Sequence, residues 1–229
     1  MKIRNVNALL LTVLLFGAVA SCDSGSKSKE ERLDDLMDRA DEAKAKSYYA
    51  DAVDYHQAII GLHTQVGVQL MKMSEAEQLE EYREEIKILR ELIIANHEAL
   101  KNISFTSSES GNFAFVDYGL KSAMLDLFSF YQEIIENEYQ EIGVIWNRME
   151  QNQNDEELLM SLSMRLIEIH TGIQKKEREI DNAVKSASDK FALAFNIQLE
   201  ENPLAEDLNE AIDETEAWKE ELKDIYDTQ

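Results

Sequence analysis

At 229 residues and 44% hydrophobic, the chain can bury a substantial core, and its 8 glycines and single proline argue against turn-rich β and Gly-loop α/β folds. The formal charge is −23; residues 1–21 hold two basic residues and no acids, so the remainder, 21 basic against 46 acidic, carries −25. A surface this acidic repels phosphate backbones, which excludes nucleic acid as a partner and favours solubility, cations or a basic protein.

The N-terminus opens with Lys2 and Arg4, continues as an apolar run from Ala8 to Ala20 broken only by Thr12 and Gly17, and ends in small residues before Cys22, the sole cysteine. That order is a secretory signal, too short and wrongly flanked for a membrane span. Val19-Ala20-Ser21-Cys22 resembles the bacterial lipobox. The resemblance implies cleavage before Cys22, a thioether-linked diacylglycerol on its sulfur, and a further acyl chain such as palmitate on the new amino terminus. Two or more chains anchor a protein stably, where one holds it marginally. The competing reading is a secreted protein with a stray thiol, although cysteines in oxidising compartments usually pair. The bacterial membrane is thus the expected partner of Cys22, beside an unidentified protein, and no other cofactor is implied. Asp23-Ser-Gly-Ser-Lys-Ser-Lys29 reads as a flexible tether. Asp23 resembles an inner-membrane retention signal of enteric bacteria, and polar or acidic residues here resemble surface-export signals of other lineages. The expected address is the cell envelope, at the outer membrane or cell surface in preference to the inner membrane. The boundaries are 1–21 for the signal peptide, 22–29 for the lipidated cysteine and tether, and 30–229 for one helical domain.

Beyond the tether, apolar residues recur every three or four positions, which predicts five helices. The first spans about 30–73 through Leu36, Ala40, Tyr55, Ile59, Leu62 and Val66. Ser74 and Glu77 form a capping-box pattern that starts the second, about 75–102, with a seam of Leu79, Tyr82, Ile86, Leu89, Ile93 and Asn96. Residues 104–116 form the longest loop. The third helix spans about 117–151, the fourth about 155–197, and Asn202-Pro203 starts a fifth that runs to about 226. Short links make neighbours antiparallel, so the expected architecture is all-α: an elongated up-down-up-down four-helix bundle, with the fifth, C-terminal helix covering an overhang. The stretch LDLFSFYQEIIENEY, residues 125–139, is similar to the middle of a family of helical surface lipoproteins with no assigned reaction, so no functional residues follow from it.

Helical projection puts several polar residues on apolar faces. His56 and His63 fall near the centre of the first helix's arc, Glu138 in the third helix's stripe, and His170 at the edge of the fourth's. At ~1.5 Å per residue, His63, His56, Glu138 and His170 lie roughly 15–25 Å from the turns at one end, which would gather them at one level. An isolated ionised Glu in an apolar core costs several kcal/mol, so one reading is a hydrogen-bonded network. The alternative is a metal site of His63, Glu138 and His170 with His56 nearby, since two histidines and a carboxylate can hold zinc or iron. Against it, no Glu-x-x-His pair of the di-iron type is present, and His56 and His63 are two turns apart. Phe105, Phe113 and Phe115, in the Ser/Gly-rich loop, either cap the bundle end or form a binding tip. No nucleophile motif is present, and the expected function is a lipid-anchored helical interaction or structural module rather than an enzyme.

Overall fold

A computed structural model describes residues 28–106, 117–200 and 203–204, the backbone of 19–21, and Ala217 and Glu220 as isolated helical positions. The fold is all-α. Six helices account for most of the described residues: α1 (Lys29–Ala45), α2 (Ala52–Ser74), α3 (Leu79–Asn102), α4 (Leu120–Glu136), α5 (Glu138–Gln151) and α6 (Glu156–Ala194). Four short strands make two pairs. β1 (Val19–Ser21) runs antiparallel to β4 (Gln198–Glu200), and β2 (Tyr48–Tyr49) runs parallel to β3 (Ser104–Phe105). Among the described residues no helix is long and apolar enough to cross a membrane. The predicted fifth helix lies almost wholly outside the described residues.

The first predicted helix is two helices. Ser28 starts α1 with a capping box, its hydroxyl accepting from the Glu31 amide while the Glu31 carboxylate accepts from the Ser28 amide. Lys46 then turns extended, and Asp51 caps α2 by accepting from the amides of Val53 and Asp54. Between them the Tyr48–Tyr49 strand pairs with β3, so its backbone groups are satisfied outside any helix. The chain therefore reverses, and α1 packs on α2 instead of extending it as an overhang. The approach is close: a β-carbon on Gly61 would lie 2.5 Å from the Leu36 carbonyl oxygen. Asp51 and the β-prone Tyr-Tyr pair are the signals that an unbroken period of three and four conceals.

The reversal encloses α2. Every residue from 58 to 67 is buried, so α2 shows no solvent face for nearly three turns. α1 and α3 pack along it, while α4 and α6 reach it through side chains, and one continuous core joins all six helices.

Other boundaries shift for local reasons. Ser74 does not form the expected capping box: it is the last residue of α2 and donates to the Met71 carbonyl, and α3 begins five residues on, at Leu79. The third predicted helix breaks at Asn137. There the Gln140 side-chain amide donates to the Ile135 carbonyl, and the Glu133 carbonyl accepts from both the backbone and the side-chain amide of Asn137. Asp155 caps α6 as expected of a helix starting there, accepting from the Leu158 amide.

Candidate functional site

Cys22, Phe113 and Phe115 lie outside the described residues. Phe105 does not: it is buried, with its ring stacked 4.9 Å from Tyr55 and edge-on to Phe191 and Phe195 at 5.5 and 5.2 Å. It therefore caps the end of the core where α2 starts and α6 finishes, rather than presenting a binding tip.

The polar residues inside the core are positioned by helix register. His56 on α2 and Ser188 on α6 share a hydrogen bond of 2.7 Å between Nε2 and Oγ. His63, two turns along α2, bonds through Nε2 to the Tyr131 hydroxyl of α4 at 3.0 Å, its ring nearly parallel to the phenol. Tyr55 with Asp117 and His63 with Tyr131 show α4 running with α2. Glu133 with Lys176 and Glu141 with Arg165 show α4–α5 running against α6. Ascending α2 therefore means descending α6. Seven residues from His56 is His63, and seven residues back from Ser188 is Asp181, which falls opposite it. Asn96 of α3 completes this level by donating to the Leu62 carbonyl at 2.7 Å and to Gln65 Oε1 at 3.3 Å.

One level does gather buried polar groups, with a different membership from the expected one. Its carboxyls are Asp181 and, one turn away on α6, Glu177. Glu138 starts α5 beyond the Asn137 break, which resets the helical phase and puts Tyr139 inward in its place. Glu138 is only half-buried, although its Oε2 is sealed from solvent and accepts no hydrogen bond. His170 is buried, but the register sets it about 16 Å along the axis beyond His63. The four residues of the metal alternative do not converge, and among the described residues no group of three or more His, Cys, Asp or Glu could hold a metal ion.

Burial sets the protonation of this level. His63 is held neutral, its pKa pushed down to about 3, and His56 down to about 4. Burial raises Asp181 up to about 8, and the Asp181 Oδ2 accepts no hydrogen bond. The Tyr131 phenol is raised well above its ordinary value, first by burial and then by the nearby Glu177 and Asp181 carboxyls. Glu177 lies one turn before Asp181 on α6 and is fully buried. Neither acid was singled out from the sequence. The signal was present, because Ile173, Glu177, Asp181, Val184, Ser188 and Phe191 continue the seam in steps of four and three. Ile180 and Ala187, one residue before Asp181 and Ser188, offered an apolar path that hid them.

On the outer side, the α4–α5 break leaves a cleft against α6 of about 540 Å³, lined by Glu138, Glu141, Arg165, Glu168, Ile169 and Gly172 among others. Arg165 spans it, donating to both Glu141 oxygens at 2.7 and 3.1 Å and to Glu168 at 2.9 Å. No family model, curated protein or solved structure matches the chain.

Proposed function

We propose that the chain is a lipid-anchored protein of the cell envelope, at the outer membrane or cell surface, whose helical domain serves as an interaction or structural module without a catalytic site. The observation that carries the reading is Cys22, the only cysteine, standing where an apolar run gives way to polar chain in a Val-Ala-Ser-Cys lipobox pattern. The start of the fold is consistent with it. The Ser28 capping box opens α1 six residues after Cys22, which leaves a short polar tether between a lipid and the first helix. The interior also favours a structural role for its polar groups: His56, His63 and Asn96 bond to Ser188, Tyr131 and the Leu62 carbonyl. On this reading cleavage before Cys22 removes Val19–Ser21, so the β1–β4 pair belongs to the uncleaved chain.

Metabolic labelling with radioactive palmitate tests the anchor. The wild-type chain takes up label and partitions with membranes, and Cys22→Ala does neither. Equal labelling of the two would end the lipoprotein reading.

A further inference from the structure

A groove runs along α6 where α4 and α5 meet it. The cleft at the helix break continues into a second of about 340 Å³, and the two share Lys176. From Arg165 to Ile180 the groove follows α6 for about 22 Å, the length of a helix of roughly 15 residues. Phe130, Ile169 and Ile180 supply its apolar floor.

Gly172 sits in the middle of this floor. A β-carbon there would meet nothing within 4 Å, so no packing within the described fold requires a glycine in the interior of the longest helix. Glycine weakens a helix at such a place, and what it gains here is bare backbone at the bottom of an open groove.

The rim sets the sign of the occupant. Glu133, Glu136, Glu138, Glu141, Glu168 and Glu179 face two cations, Arg165 and Lys176. Both cations are already engaged, Arg165 with Glu141 and Glu168 and Lys176 with Glu133. Glu138 is half-buried at the edge of the cleft and adds its negative charge to the rim.

We propose that this groove is the docking surface of the interaction module, and that its occupant is a basic amphipathic helix of a partner protein. Apolar residues of that helix lie over Gly172 and Ile169, and its Lys or Arg side chains meet the Glu rim. The inference rests on the interaction-module reading and is independent of the anchor.

The test uses the full chain in detergent and a synthetic amphipathic helix of about 15 residues made of Leu, Lys and Arg, followed by calorimetry or fluorescence anisotropy at low and high salt. Because the whole chain is acidic, the deciding variant leaves charge unchanged. Gly172→Met fills the groove and is expected to weaken binding about tenfold while far-UV dichroism and the melting temperature hold or rise. Glu138→Gln and the rim reversal Glu179→Lys are each expected to weaken it severalfold and to flatten its salt dependence. The control Glu84→Gln, on the exposed face of α3, leaves it unchanged. Wild-type affinity in Gly172→Met would overturn the proposal, as would equal losses for Glu84→Gln and Glu138→Gln, since either reduces binding to general attraction by the acidic coat. No binding even at low salt also overturns it. Palmitate labelling is untouched by any of these outcomes, so a failed groove and a failed anchor are told apart.

Discussion

Replacing Asp181 by Asn should make the protein more stable at neutral and alkaline pH, by an advantage that shrinks as the pH falls toward 3.8. Asp181 is 3% exposed, its Oδ2 lacks a hydrogen-bond donor, and burial raises its pKa from 3.8 up to about 8. It faces Tyr131 from α4, in turn bonded to His63 of α2, with Glu177 one turn away on its own helix. Between those two pKa values the folded chain keeps a proton that the unfolded chain has released. Folding therefore takes up a proton, and stability falls as pH rises through the window, by up to ~1.4 kcal/mol per pH unit. It is fully present below pH 3.8 and the loss is complete above about 8. From about pH 5 to about pH 8 the full slope is ~4 kcal/mol; relaxation and water entry reduce this to ~2 kcal/mol. Asn is neutral throughout, keeps the shape of the side chain, and removes this dependence. The assay is urea unfolding followed by far-UV dichroism at about pH 5, 6.5 and 8 for both proteins. A wild-type-to-Asn difference that stays constant across the series would mean that Asp181 is ionised in the fold, and the reasoning would fail.

The histidines set the opposite limb. Folded pKa values of about 4 for His56 and about 3 for His63, against 6.5 unfolded, mean that the unfolded chain binds protons first, so stability declines as pH falls below 6.5. Replacing both by Gln should flatten that decline, and an unchanged acid slope would show that they are charged when folded. Gly61→Ala pushes a methyl into the Leu36 carbonyl at 2.5 Å; the expected loss is ~1–3 kcal/mol despite a helix-propensity gain of ~1 kcal/mol, and a raised melting temperature would refute the close approach. Phe105→Ala leaves Tyr55, Phe191 and Phe195 without their common neighbour and should cost ~3–5 kcal/mol in chemical denaturation. A change under ~1 kcal/mol would restore Phe105 to the surface.

Helical class was legible because it is written redundantly: Tyr82, Ile86, Leu89 and Ile93 of α3 alternate steps of four and three, and all four are buried. The breaks were not, because a period averaged over a long window passes through Lys46–Asp51 and Asn137 without losing phase enough to notice. What interrupts the run is local: the Asp51 side chain turned onto two amides starts α2 afresh, and at Asn137 the Gln140 side chain takes up the Ile135 carbonyl. The break at Asn137 displaces the residues beyond it, so Glu138 reads as interior from an unbroken period, whereas Asp181 is hidden by the parallel apolar path through Ile180 and Ala187. Depth along the axis failed for a related reason. Counting from turns levels His170 with His63, whereas the His56–Ser188 bond fixes where α6 slides along α2.

The enclosure of α2 has a consequence for the order of folding. Its neighbours α1 and α3 are adjacent in the chain, so hairpins on either side can form with short loop closures. Its far wall arrives late, since the His56–Ser188 contact spans 132 residues and the His63–Tyr131 contact spans 68. Until α6 docks, a ten-residue stretch built to see no water stays open on one side. On contact order, closure of α6 is the expected committing step, and protection of amides in residues 58–67 against hydrogen exchange should appear only with it.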